Sequence, residues 1–146
     1  MLMNNKFFDE RQLKIRGEVF FHGLIAAFAL LLINALLQGL DIVWASGFHQ
    51  NIIIFFFTGM VVIIEAILRD AFFGMGQMRW PIIGAFGVLS AVLIYGVVHS
   101  FAQGNALVEA GALTHHGFML VGAVMPVSVT VAGLIKEIIE KRRNHE

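Results

Sequence analysis

Every Lys and Arg in this chain, ten in all, falls in segments that four long apolar runs would leave on one side of a membrane. Lys6, Arg11, Lys14 and Arg16 precede the first run. Arg69 and Arg79 lie between the second and third, and Lys136, Lys141, Arg142 and Arg143 follow the fourth. The other two connections carry no Lys or Arg. Cytoplasmic loops of membrane proteins are enriched in these cations. The pattern therefore predicts an all-α integral membrane four-helix bundle with both termini in the cytoplasm. Charged residues make up only 14% of the chain, against about 25% in a soluble domain. The zero formal net charge conceals that asymmetry and gives no basis for a nucleic-acid partner.

A single membrane domain over 1–146 is expected, with spans at about 19–37, 48–68, 82–101 and 117–135. About twenty residues at 1.5 Å rise cross a hydrocarbon core of about 30 Å. Residues 1–18 read as a cytoplasmic juxtamembrane segment, expected as a short surface helix. Residues 136–146 read as a helical cytoplasmic tail, with Lys136/Glu140 and Glu137/Lys141 spaced to pair. The first run is too long for a cleavable signal and three more follow, so it reads as a retained helix. Trp44 suits the outer aromatic belt, and 106–113 is expected to form one or two helical turns. Gly74 and Gly76 loosen the inner loop. No cysteine is present, which excludes a disulfide framework and thiolate metal ligands.

Small residues at helical spacing mark packing faces where lipid removes most of the hydrophobic drive between helices. Gly84, Gly87 and Ala91 form one such face on the third span. Gly122, Pro126, Val129 and Gly133 form another on the fourth, so these two spans are the predicted close pair. Pro126 removes the N–H that the Gly122 carbonyl would use and favours a bend. Ser128 or Thr130 can help satisfy backbone groups nearby. Asn34, inside the first span, is expected to hydrogen-bond to a neighbouring helix.

Ionisable residues in a span are candidates for function because burying them is costly. At the inner end lie Glu18 and His22, four apart on the first span, and Glu65, Arg69 and Asp70 at the end of the second, where Glu65 and Arg69 are four apart. Together they form a candidate ion or proton site, with Glu65 and His22 as its titrating members, since a histidine beside a carboxylate can change charge near neutral pH. The opposing reading is local pairing near the interface. At the outer end, His49, His99, His115 and His116 are enough in number to ligate a metal or haem. Their spacing matches no compact ligand motif. No phosphate-binding glycine loop, metalloprotease helix or nucleophile elbow occurs. The chain therefore predicts no catalytic residue and calls for no cofactor.

The opening Phe8-Asp9-Glu10-Arg11-Gln12-Leu13-Lys14-Ile15-Arg16-Gly17 resembles uncharacterised families of small multi-span bacterial (Firmicutes-type) membrane proteins with a D-E-R-Q-type N-terminal segment. The resemblance implies a location in the cell (cytoplasmic) membrane and brings no activity with it. The favoured expectation is a non-enzymatic accessory, regulatory or immunity-type module. Its partners would be the bilayer, anionic lipids at the cytoplasmic face, and a membrane protein or second copy. Two alternatives stand beside it: a small oligomeric proton-coupled transporter using Glu65 and His22, and an outer-face metal or haem binder using the four histidines.

Overall fold

The computed structural model describes residues 8–74 and 79–143. Lys6, Gly76 and the end of the expected tail, residues 144–146, lie outside the described residues. Four helices carry the fold: α1 (Glu10–Gly39), α2 (Gly47–Leu68), α3 (Arg79–Ala102) and α4 (His115–Arg143). Each is long and apolar enough to cross a membrane. Phe20, Phe28, Leu32, Phe55, Val88 and Val92 are among many large apolar side chains left exposed. Water would penalise such a surface, whereas acyl chains solvate it.

The expected surface helix before the first span is instead part of it, since α1 runs unbroken over 30 residues. Asp9 starts it with a capping box: the Gln12 N–H donates to Asp9 Oδ1 at 2.6 Å, and the Asp9 N–H donates to Gln12 Oε1 at 3.2 Å. Two orphan donors are satisfied at once, and Gly17 alone is too weak a breaker to stop the helix there. At 1.5 Å per residue α1 is about 45 Å long, so it overhangs the hydrocarbon core. The fourth span likewise continues without a break through its charged tail to Arg143.

Helices α1, α2 and α3 end alike. Ile42 N–H bonds to Leu37 O, Ala71 N–H to Ala66 O and Asn105 N–H to Ser100 O, each spanning five residues. Shorter bonds sit inside them, from Asp41 to Gln38, Asp70 to Ile67 and Gly104 to Phe101. This is the Schellman arrangement, which needs a left-handed residue after the cap. Gly104 fills it in α3, but Asp41 (φ 57°) and Asp70 (φ 60°) fill it in α1 and α2. Aspartate tolerates that region at some cost. Asp41→Gly should therefore stabilise the protein by about 0.5 kcal/mol, measured by thermal unfolding in detergent. Asp70→Gly should show no such gain, because Asp70 also carries an ion pair to Lys136.

The expected helical turns in the outer connection are a two-stranded hairpin, Val108–Glu109 against Ala112–Leu113. Ala110 and Gly111 both have positive φ, 49° and 82°. That pair makes the tight turn whose twist matches antiparallel strands. A helix would have left Leu113 N–H without the partner it finds, the Trp44 carbonyl at 2.8 Å. This bond ties the two loops of that end together.

The helices form a row in the order α1, α2, α4, α3. α4 sits between α2 and α3, while among the described residues α1 packs chiefly on α2. Consecutive α2 and α3 are thus joined chiefly through α4 and through Phe73 in the intervening connection. Ile67, Phe73, Ile83, Val129 and Ala132 make the core where these elements meet. The predicted α3–α4 pairing is present. Its α3 face is different, however: Ile83, Ser90, Val97 and Ser100 are buried, whereas Gly84 and Ala91 are exposed. A seven-residue repeat (83, 90, 97) sets the seam, as expected for nearly parallel helix axes. Gly87 touches the seam through Thr130 Cγ2, 3.8 Å from where its Cβ would lie. On α4, Pro126 and Gly133 are buried, but a Cβ on Gly122 would meet nothing within 4 Å. Ser128 and Thr130 bond the carbonyls of Val124 and Pro126, both at 2.8 Å, rather than the one Pro126 orphans at Gly122.

Candidate functional site

Both described ends of the chain lie at one end of the row, and charged side chains from all four helices gather there. The four residues singled out in sequence come together. Four-residue spacing puts Glu18 and His22 on one face of α1, beside Val19 and Gly23, which pack against α2. The last turn of α2 presents Glu65, and its cap presents Arg69. His22 Nδ1 lies 2.9 and 3.1 Å from the two carboxylate oxygens of Glu65. Arg69 donates through Nη1 to Glu65 Oε1 at 3.0 Å and through Nη2 to Glu18 Oε2. Glu18 first, and then Glu65, hold the Arg69 guanidinium above its ordinary pKa. One guanidinium thus bridges two carboxylates, and an imidazole occupies the open side of one of them. With His22 neutral the four groups sum to one negative charge; with His22 protonated they balance. Such a set can take up or release one proton without leaving more than a single uncompensated charge.

A second ionic group continues from the first. Lys136 on α4 donates to Asp70 Oδ2 at 2.9 Å and to the Leu68 carbonyl at 3.2 Å. It closes the end of α2 from a different helix. Arg79 at the start of α3 pairs with Glu140 and, at 3.6 Å, with Glu137. Glu137 therefore faces α3, while the other expected intrahelical pair, Lys136–Glu140, is present at 3.8 Å. Gln12 Nε2 donates to the carbonyls of Asp70 (2.8 Å) and Phe73 (3.2 Å), linking the first turn of α1 to the connection after α2. Sequence reasoning missed Gln12, the pairing of Asp70 with Lys136 and the Arg79 pairings. The available signal was that opposite charges shared one predicted end; the row order needed to pair them was not visible.

At the opposite end the histidines are dispersed among other tasks. His49 Nδ1 sits 3.0 Å from Ser46 Oγ, and its ring stacks on Phe118 with centroids 4.5 Å apart. His116 Nδ1 lies 2.7 Å from Ser100 Oγ, and His99 Nε2 lies 3.0 Å from the Gln103 amide. His49 and His115 approach to 6.1 Å between ring centroids. Among the described residues no three His, Asp or Glu side chains converge as a metal site would require. Asn34, buried at 6% exposure, accepts from the Trp44 indole N–H at 2.9 Å rather than from another helix. Gln38 donates to Gln50, which donates to the Ala45 carbonyl, both at 2.8 Å. These bonds fasten the α1–α2 loop over the helix ends.

In comparisons with known proteins, no family model, no curated protein and no solved structure matches this chain.

Proposed function

We propose that the chain is a non-enzymatic accessory or regulatory module of a bacterial cytoplasmic membrane, with the ion-paired end in the cytoplasm. The observation that carries this reading is the row itself. α1 and α3 each pack chiefly on one neighbour, so two of the helices present most of their length outward. Ion pairs fasten the helices together at one end, Arg69 to Glu18, Lys136 to Asp70 and Arg79 to Glu140, which suits a rigid module that offers its flanks to a membrane partner or a second copy. The positive-inside distribution supports the orientation. A photo-crosslinking residue at Leu24 or Phe28 on α1, or at Val88 or Val92 on α3, tests it in intact membranes. A protein adduct heavier than the monomer is expected from at least one flank; adducts to lipid alone at all four positions would contradict the reading.

The geometry of His22 and Glu65 supports a second reading, in which the Glu18–His22–Glu65–Arg69 set exchanges a proton with the cytoplasm as part of transport. Glu65→Gln keeps the shape and removes the charge. In proteoliposomes it should abolish proton-coupled flux, and unchanged flux would dispose of this version.

A further inference from the structure

We infer that the groove between α1 and α2 at the ion-paired end is a site for one anionic phospholipid, its phosphate on Arg16 and one acyl chain between the helices. The inference rests on the membrane placement proposed above and is independent of any protein partner. The groove holds about 180 Å³ and is lined by Arg16, Val19 and Phe20 of α1, by Val62, Ile63 and Ala66 of α2, and by Ala71 and Phe72 beyond it. Toward mid-span it is closed where the helices touch: a Cβ on Gly23 would overlap Val62 Cγ2. Everything inside is apolar except Arg16 at the end where head groups would lie.

Arg16 is held ready. Its guanidinium carbon sits 4.1 Å from the centroid of the Phe8 ring, a cation–π contact that leaves the donors in the guanidinium plane without a hydrogen-bond partner among the described residues. Among the described residues it enters no ion pair, unlike Arg69 and Arg79. At 100° per residue, Glu18 lies about 160° round α1 from Arg16 and Glu10 about 120°, while Asp9, about 20° round, stands two turns away at the N-cap and accepts from the Gln12 N–H. Glu18 is moreover engaged by Arg69. A guanidinium recognises phosphate oxygens through paired N–H donors. No carboxylate lines the groove among the described residues, so the ammonium of a zwitterionic head group would find no partner there. A lone cation at the mouth of an apolar slot fits a head group whose net charge is negative and whose tail is a hydrocarbon.

Native mass spectrometry of the full chain in detergent, with equimolar phosphatidylglycerol and phosphatidylcholine of matched chains, tests the site. One phosphatidylglycerol should be retained in preference. Arg16→Ala should weaken its retention about fivefold, the weight of one basic residue near an anionic head group. Arg16→Lys should restore most of it, and Ala66→Leu, which fills the slot, should weaken it as well. Inorganic phosphate should not displace the lipid. Equal retention of the two lipids, retention unchanged in Arg16→Ala, or displacement by phosphate alone would each overturn the site. A chain that stays dissolved without detergent would overturn the membrane placement and the site with it.

Discussion

Gly117→Ala should destabilise the protein by about 3 kcal/mol, the upper end of the usual cost of overpacking. Gly117 lies in the first turn of α4, against the hairpin connection. An added Cβ would overlap the Leu107 carbonyl oxygen and Leu113 Cδ2. A side-chain tip could swing aside, but this carbonyl cannot move cheaply. It accepts from the Thr114 N–H at 3.0 Å and from the Thr114 hydroxyl at 3.1 Å. The same hydroxyl accepts from Gly117 N–H at 3.2 Å and so caps α4. Shifting the carbonyl would therefore undo the cap as well as the loop. Gly122→Ala is the control: it lies more than one helical turn further on and its Cβ meets nothing within 4 Å. Alanine there should gain about 0.5–1 kcal/mol from the lost backbone freedom of glycine. Thermal unfolding in detergent, tracked by far-UV circular dichroism, should move in opposite directions for the two variants.

Gly133→Leu is expected to cost a similar amount, about 2–3 kcal/mol, for a different reason. A Cβ at Gly133 would stand 2.9 Å from Ile83 Cγ1 and 3.0 Å from its Cδ1. Ile83 is itself in the core with Ile67, Phe73, Val129 and Ala132, so it cannot retreat far. A leucine would wedge α3 from α4 at the point where both reach the ionic end, and would strain the Arg79–Glu140 contact beyond it. Gly84→Leu, next to Ile83 in sequence but on the exposed face, should carry no packing cost and gain about 0.5–1 kcal/mol, as at Gly122. Equal costs at Gly84 and Gly133 would show that the seam has been placed on the wrong face of α3.

The four spans were legible because hydropathy and the Lys/Arg distribution constrain them independently of packing. The inner polar group was legible for a similar reason: four-residue spacing fixes which face of its own helix a residue occupies, and Glu18, His22, Glu65 and Arg69 shared one predicted end. Which helix stands beside which was not legible. Short loops argue for neighbours in sequence, yet α4 separates α3 from α2, so the Lys136–Asp70 pair could not be anticipated. The face of α3 was misread because Gly84, Gly87 and Ala91 share a spacing that small residues in close-packed helices also share. Nothing in that spacing distinguishes a face pressed on α4 from one turned to lipid; the repeat Ile83, Ser90, Val97 does so only once the partner is known. The hairpin was hidden because Ala110 is a poor marker for a left-handed turn. Asp41 and Asp70 stand where glycine usually signals a stop, yet α1 and α2 end at Gly39 and Leu68, within two residues of the expected 37 and 68, because the apolar runs themselves stop there.

The orientation of the row in the bilayer underlies the partner, proton and lipid readings alike. The chain contains no cysteine, so a single introduced thiol reports without background. Intact cells carrying Glu109→Cys, in the hairpin, or Arg142→Cys, at the ion-paired end, can be treated with a membrane-impermeant maleimide. Glu109→Cys should label in intact cells and Arg142→Cys only after the membrane is permeabilised. Labelling of Arg142→Cys from outside, or protection of Glu109→Cys until permeabilisation, would contradict the account.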